Sequence, residues 1–216
     1  ALVKQLPNRS EIDALLTEIH SGLRTLATSA PAARPSPASG IAATTLSEND
    51  RVTGAALMRV NHAGEVAAQA LYRGQAFTTR DRGIRQNLLD AAAEEQDHLA
   101  WCQGRVAELG SRTSLCGPFW YAGSFAIGAV AGLLGTSAGL GFVVETERQV
   151  EEHLSGHLDR LPAADLPSRE IVRQIRADEV LHGARARELG GTDLPGPVRR
   201  AMRFAARFMT TVAHRL

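Results

Sequence analysis

The sequence has few cysteines, the residues whose disulfides stabilise small extracellular domains. It contains two cysteines in 216 residues, Cys102 and Cys116, and no Cys-x-x-Cys pair. Two cysteines cannot build a disulfide framework, so we expect a protein of a reducing compartment. The missing Cys-x-x-Cys pair also excludes a rubredoxin-type iron site.

Charge of neither sign is in excess. The chain has 24 Lys and Arg against 23 Asp and Glu, a formal net charge of +1, so we expect no nucleic-acid partner. The N-terminal region lacks a basic segment followed by an apolar run and a small-residue cleavage site, so we expect no secretion. Hydrophobic content of 44% is ordinary for a globular protein with one sizeable core.

Two halves of the chain carry the same pattern of glutamate and histidine. Glu65 is followed 30 residues later by Glu95-Gln96-Asp97-His98, and Glu147 is followed 32 residues later by Glu179-Val180-Leu181-His182. One Glu-x-x-His arises by chance in many proteins, but two copies at matching distances rarely do. Four glutamates and two histidines that face inward from four helices are the ligand set of di-iron or di-manganese carboxylate proteins. The pattern therefore predicts a metal site formed by Glu65, Glu95, His98, Glu147, Glu179 and His182.

Turn residues lie midway between the two parts of each pattern. The first midpoint falls near residue 81, in Thr79-Arg80-Asp81-Arg82-Gly83, and the second near residue 164, in Pro162-Ala163-Ala164-Asp165-Leu166-Pro167. Glycine and proline interrupt helices. Each half is therefore predicted to be a helical hairpin that places its lone glutamate level with its Glu-x-x-His.

The residue types suit a redox-active metal. Residues i and i+3 are neighbours on a helix, so the Glu and His of each motif can bind one ion. An oxygen-rich shell without sulfur favours iron or manganese over a structural zinc site. Iron is the better candidate if the protein reacts with oxygen.

Four further residues are candidates for supporting the ligands. Glu94 and Asp178, each four residues before a histidine of the motifs, are placed to accept the second N–H of a metal-bound imidazole. An exposed position on the helix shoulder is an equally good interpretation of both. His153 and Tyr72 lie near the ligands in sequence and are candidates to support a ligand or to line the pocket. For Tyr72, core packing is at least as good an explanation.

The chain is predicted to be all-α, a ferritin-like four-helix bundle with extra terminal helices. We expect three parts. Residues 1–46 hold an amphipathic helix opened by Ser10 and a linker rich in Pro, Ala and Ser; residues 47–190 hold the bundle, with Ser47 as the cap of its first helix; residues 191–216 hold a C-terminal helix.

Residues 113–144 contain no charged side chain. Length and hydropathy alone would suggest a transmembrane helix, but one crossing would separate Glu95 and His98 from Glu147. The segment must therefore return to its starting side, as a hairpin or a kinked helix. Part of it is explained by the long crossover of ferritin-like bundles. We expect the rest to contact a membrane and admit an apolar substrate; the alternative is burial within the protein or in an oligomer interface.

The C-terminal segment is basic and amphipathic. Arg199, Arg203 and Arg207 recur every four residues, and no acidic residue follows Asp193. Such a helix can lie on an anionic membrane surface. A terminal helix docked on the bundle with a solvated arginine stripe explains the pattern equally well.

Four segments resemble the demethoxyubiquinone hydroxylases of ubiquinone biosynthesis. They are Met58–Glu65, which includes His-Ala-Gly-Glu, and then Glu94–His98, Gly141–Glu147 and Arg176–His182. The resemblance covers about residues 47 to 190. These proteins are membrane-associated di-iron monooxygenases with a ferritin-like fold.

The resemblance implies two iron ions, ferrous in the oxygen-reactive state, held by the six residues named above, with Glu95 and Glu179 as bridges. It implies hydroxylation of a polyprenyl benzoquinol ring with O₂, membrane lipid as a partner, and a peripheral position on the cytoplasmic face of the inner membrane. Accessory ubiquinone-biosynthesis proteins and a homo-oligomer remain open. The alternative is a ferritin- or rubrerythrin-like protein for iron storage or peroxide handling, which would not need the uncharged segment.

Overall fold

A computed structural model describes residues 9–27, 32–42 and 45–216. The chain forms helices α1 (Arg9–Ala27), α2 (Glu48–Thr78), α3 (Arg82–Glu108), α4 (Gly117–Leu133), α5 (Thr136–Arg160), α6 (Leu166–Glu188) and α7 (Gly196–Arg215). The described part of the chain contains no β-strand. The all-α prediction is confirmed.

Side-chain caps set the starts of three bundle helices. Ser47 accepts a hydrogen bond from the Asp50 N–H at 3.1 Å, as predicted. Asp81 accepts from Ile84 at 3.0 Å and Asp165 from Ser168 at 3.1 Å. Each cap satisfies an N–H that has no partner within its helix. The caps Asp81 and Asp165 lie in the two predicted turns, so both hairpins fold where the sequence indicated.

Helices α2, α3, α5 and α6 form the four-helix bundle. α2 pairs with α3, and α5 pairs with α6, through the two short turns. One buried cluster lies towards the start of α2 and includes Leu57, Leu154 and Ile175. A second lies towards its end and includes Leu88 and Val143. The predicted metal ligands lie between these two clusters along the bundle axis.

The uncharged segment forms the crossover of the bundle. α4 runs parallel to α2, because Trp120 packs near Val60 at one end while Gly132 approaches Thr78 at the other. The chain then reverses at Gly135, whose φ of 89° favours glycine, and continues as α5. The segment is therefore a helical hairpin rather than one kinked helix. Among the described residues, no helix combines the length and apolar character needed to cross a membrane.

The N-terminal helix packs on the bundle through its less apolar side. Gly22 and Thr25 are buried, the Thr25 hydroxyl donates to Gln69, and Arg73 pairs with Glu18 at 2.8 Å. A row of apolar side chains is exposed instead, formed by Ile12, Leu16, Ile19, Leu23 and Leu26. Ser10 lies inside α1 rather than before it.

The predicted linker also contacts the bundle. Ala32 and Ala38 pack against the cluster of Leu57 and Ile175, and Arg34 reaches helices α3 and α6. The composition of this stretch shows no core-forming pattern, so these contacts were not predicted from the sequence. The parts of the prediction that concern residues 28–31 and 43–44 lie outside the described residues, and the division into three parts stays a prediction.

Candidate metal centre

The structure brings all six predicted ligands together inside the bundle. Each is at most 5% exposed. Their potential ligand atoms form two groups, each within 4.8 Å: one contains Glu65, Glu95, His98 and Glu179, and the other contains Glu147, Glu179 and His182. Two adjacent metal positions that share Glu179 are the natural interpretation of this arrangement.

Glu95 and Glu179 lie between the two histidines. Glu95 places Oε2 at 3.1 Å from His98 Nδ1 and Oε1 at 3.4 Å from His182 Nδ1. Glu179 is placed in the same way, with Oε1 at 3.5 Å from His98 Nδ1 and Oε2 at 3.4 Å from His182 Nδ1. Each carboxylate therefore directs one oxygen to each side, which is the geometry of a bridging ligand. The bridging role itself stays a prediction.

The outer nitrogen of each histidine faces an acid from the opposite helix. His98 Nε2 lies 2.9 Å from Asp178, and His182 Nε2 lies 2.9 Å from Glu94. An acid in this position fixes the tautomer and the ring orientation of a ligating imidazole. With Nε2 donating to the acid, Nδ1 is left to bind a metal ion.

The donor set fits a pair of cations. Several buried ligand atoms have no hydrogen-bond partner: Glu95 Oε1, Glu147 Oε2, both carboxylate oxygens of Glu179, and His182 Nδ1. Buried polar atoms are normally paired, because leaving one without a partner costs about 1–3 kcal/mol. Two divalent ions would satisfy these atoms and balance the charge of four carboxylates. A hard, oxygen-rich shell of this kind suits iron or manganese.

Without a metal, the cluster holds extra protons. Burial raises the pKa of Glu65 and of Glu147 well above the usual value. Burial lowers the pKa of His182, but the nearby carboxylates of Glu179 and Glu95 outweigh this and raise it to about 12. Metal ligands must be deprotonated, so binding of the ions releases protons.

Tyr72 and His153 lie in different environments. The Tyr72 hydroxyl donates to the predicted ligand Glu147, so Tyr72 supports a ligand directly. His153 belongs to neither ligand group. Its ring lies 3.9 Å from that of His157, whose Nδ1 is 2.7 Å from Asn61 Oδ1. The structure thus places His153 in a separate histidine pair between α2 and α5.

Three residues next to His98 were not predicted from the sequence: Arg34, Asp97 and Trp101. Arg34 forms ion pairs with Asp97 at 2.8 Å and with Asp178 at 3.0 Å, and its guanidinium lies 4.8 Å from the centre of the Trp101 ring. Trp101 follows His98 by three residues, so its spacing was an available signal. Arg34 gave none, because it lies in a Pro- and Ala-rich stretch more than sixty residues away.

Two small cavities lie on the other side of the centre. One of about 30 Å³ reaches Tyr72 and His182, with Arg185 at its edge. The other, of about 10 Å³, reaches Tyr72 and Glu147. Such volumes hold about one water molecule each. Tyr72 lines both cavities, so open space approaches the centre on the side of Tyr72.

Comparisons with known proteins agree on one family. The sequence profile of the family "Ubiquinone biosynthesis protein COQ7" matches residues 53–213. A relative from Ralstonia pickettii named 3-demethoxyubiquinol 3-hydroxylase is 56% identical over 216 residues, which cover 95% of this chain and 100% of the relative. Relatives of the same name from Cupriavidus taiwanensis and Bordetella petrii are each 54% identical over 207 residues, covering 95% of this chain and 100% and 92% of theirs.

A solved structure supports the fold. A bacterioferritin-related protein from Bacteroides fragilis, described as a dodecameric thioferritin, superposes with a TM-score of 0.54 at 16% identity, over 76% of this chain and 92% of its own. At this identity the likeness concerns the fold alone, and it confirms the ferritin-like prediction. The sequence comparisons, which extend over nearly the whole chain, show that this protein belongs to the COQ7 family of ubiquinone biosynthesis proteins.

Proposed function

We propose that this protein is a 3-demethoxyubiquinol 3-hydroxylase, an oxygen-dependent monooxygenase that hydroxylates the ring of a demethoxybenzoquinol in ubiquinone biosynthesis. The observation that carries this function is the buried cluster of four glutamates and two histidines in a chain of the COQ7 family. The named relatives are matched over nearly the full length of both chains, which supports the proposal.

The proposed cofactor is a pair of iron ions. Glu65, Glu95 and His98 would hold one ion, Glu147 and His182 the other, and Glu179 would bridge them together with Glu95. Activation of molecular oxygen, which no side chain can perform, is the chemistry that two ferrous ions supply when bound. Ring hydroxylation also consumes two electrons and two protons; two ferrous ions would supply the electrons of one turnover and solvent the protons, so an external reductant is needed for repeated turnover.

The side chains around the centre exclude water from it and orient its ligands. Tyr72 donates to Glu147, Asp178 and Glu94 fix the two imidazoles, and Arg34 with Trp101 covers His98. A quinol ring is much larger than either cavity, so its entry requires side chains near Tyr72 to move. A site that opens only for substrate limits unproductive reaction with water.

We further propose that the protein works as a peripheral membrane protein on the cytoplasmic face of the inner membrane. Helix α4 contacts α1 where Tyr121 meets Gly22, and it contacts α7 where Trp120 meets Phe208. All three helices leave apolar side chains exposed; Phe119 on α4 is 75% exposed and Phe204 on α7 is 76% exposed. Arg199 and Arg207 flank this surface and are exposed too. Apolar side chains next to cations suit an anionic lipid surface, and a polyprenyl substrate partitions into lipid. The accessory proteins and the homo-oligomer stay predictions.

The function is tested by single-turnover chemistry. The protein is loaded anaerobically with ferrous iron, mixed with demethoxyubiquinol and oxygen, and the quinone pool is analysed by mass spectrometry. We expect a product heavier by one oxygen atom from the wild type and from Glu145→Gln. Glu145 lies on α5 near Glu147 and is buried, but it pairs with Arg148 outside the ligand groups.

We expect no hydroxylated product from the matched variant Glu147→Gln. Unchanged substrate with fully loaded wild-type protein would contradict the proposed activity. The same samples address the iron-storage alternative, because a hydroxylase binds two irons per chain whereas a storage protein accumulates many more.

A further inference from the structure

The two histidine–acid pairs of the metal centre are alike in geometry but differ in their surroundings. His98 donates to Asp178 and His182 donates to Glu94, both at 2.9 Å. The Asp178 side chain is 9% exposed, whereas that of Glu94 is 40% exposed. An arginine lies beside each acid: Arg34 is 3.0 Å from Asp178, but Arg185 is 4.0 Å from Glu94. The pair on the His98 side is therefore far more enclosed.

Arg34 connects two bundle helices behind His98. Its Nε lies 2.8 Å from Asp97 on α3, and its Nη1 lies 3.0 Å from Asp178 on α6. Its Nη2 approaches His98 Nε2 to 3.3 Å. A planar guanidinium has donors in a fixed fork and can hold two carboxylates at defined positions, which a lysine ammonium cannot do.

The backbone around Arg34 is also anchored. The Ala33 N–H donates to Asp97 at 2.6 Å, and the Trp101 indole N–H donates to the Arg34 carbonyl at 3.4 Å. The Trp101 ring lies beside His98 as well, with 5.4 Å between the ring centres of Trp101 and His98. The segment thus shields the outer edge of the His98 imidazole, and the His182 side has no equivalent among the described residues.

We propose that Arg34 is a positioning residue that makes the two metal positions unequal. It holds Asp178 against His98 Nε2, so the ion bound at His98 is held more tightly than the ion bound at His182. This inference rests on the proposed metal centre and adds a difference between its two halves. The positions differ because only one supporting acid, Asp178, has an arginine as close as 3.0 Å, whereas the arginine beside Glu94 lies 4.0 Å away.

The test measures metal affinity without turnover. Metal-free protein is titrated with Co²⁺ in competition with a chromophoric chelator, which gives the two dissociation constants. For the wild type we expect two ions with unequal affinities. In Arg34→Gln the tighter affinity should fall about tenfold, the lower end of the loss that follows removal of a group hydrogen-bonded to a metal ligand. The weaker affinity should not change.

Two further variants separate position from charge. Arg34→Lys keeps the charge but not the fork, so it should behave like Arg34→Gln. Arg185→Gln, the matched change on the His182 side, should alter neither affinity. A wild-type affinity retained in Arg34→Lys, or an equal loss in Arg185→Gln, would overturn the proposal.

A second readout reports on the shielding directly. In the Co²⁺ protein, the Nε2 protons of the two ligating imidazoles give strongly shifted NMR signals that exchange with solvent. We expect one slow and one fast signal in the wild type, and two fast signals in Arg34→Gln. Circular dichroism of the metal-free variants checks that the helices are retained.

The outcomes distinguish the inference from the function on which it rests. A wild type that binds no Co²⁺ would contradict the metal centre itself. A wild type that binds two ions, with affinities and exchange rates that Arg34→Gln does not change, would contradict only the role of Arg34.

Discussion

At the scale of single residues, four of the seven histidines of this chain form two pairs with opposite electrostatics. His98 and His182 lie among carboxylates, which raise the pKa of both. His153 and His157 are shielded from water without a carboxylate partner, and burial lowers their pKa values to about 4 and about 2. The second pair is therefore neutral in the folded protein.

The neutral pair predicts a loss of stability in mild acid. His157 faces Asn61 Oδ1 and His153, and besides burial the neighbouring His153, Arg160 and His214 lower its pKa. The pKa of His157 in the folded protein lies below its value of about 6.5 in the unfolded chain. Above pH 6.5 the residue is neutral in both states, so its full contribution to the free energy of unfolding is present. As the pH falls below 6.5, the unfolded chain takes up a proton that the folded chain does not, which costs up to about 1.4 kcal/mol per pH unit.

The measurement compares the wild type with His157→Gln by urea unfolding of the metal-free proteins. At pH 7.5 the variant should be less stable by about 1–3 kcal/mol, because it loses a buried hydrogen bond and its packing. At pH 5.5 the difference should shrink by about 1 kcal/mol. A difference that does not vary with pH would show that His157 is not held neutral.

At the scale of helices, glycines allow α4 to lie against α2. A Cβ atom at Gly128 would come within 2.2 Å of the Leu71 carbonyl oxygen, and one at Gly74 within 2.1 Å of the Phe125 carbonyl oxygen. Thr78 adds a hydrogen bond to the Ala129 carbonyl at 2.7 Å. Gly74 and Gly128 thus have a packing role, because they let two backbones approach closely.

This contact predicts different effects for two glycines of one helix. Gly128→Ala should destabilise the protein by about 1–3 kcal/mol, since rigid backbone atoms must move apart. Gly123→Ala is the matched control, because an added Cβ there meets nothing within 4 Å. It should be neutral or stabilise by up to about 1 kcal/mol through helix propensity. Thermal and urea unfolding measure both; equal effects would contradict the close approach of α4 and α2.

At the scale of the whole molecule, the helices outside the bundle place their apolar side chains outward. α1 exposes its apolar row, and α7 exposes Phe204 and Phe208 while Ala213 is buried against the bundle. The helices meet around α4: the Leu115 N–H donates to the Leu216 carbonyl, and Gly22 lies against Tyr121. Exposed apolar side chains on adjoining helices are typical of an interaction site.

The proposed membrane contact predicts weaker lipid binding when these aromatics are removed. Phe119→Ser with Phe204→Ser should lower partitioning onto vesicles that contain anionic lipid by about tenfold or more per residue, because burial of one Phe contributes about 1.5–3 kcal/mol. Leu181→Ser is a control, since Leu181 is an exposed apolar residue on the bundle helix α6. Sedimentation with vesicles and the metal content are measured together. Vesicle binding that the double variant retains in full would contradict this surface as the membrane contact.

The sequence by itself determined the helices, the turns and the convergence of six side chains. Helical periodicity is local, so a Glu-x-x-His and a lone glutamate at equal distance from one turn come level once the hairpin forms. The same locality explains why Ser47 was recognised as a cap.

Only the tertiary structure decided which surroundings each ligand has. The pairing of Glu94 with His182 and of Asp178 with His98 joins residues 80 or more positions apart, and the contact of Arg34 with Asp97 spans 63. The outward direction of the apolar row on α1 likewise depends on which side of that helix meets α2. Such contacts follow from how packed helices are oriented in space, and no local pattern of residues encodes that orientation.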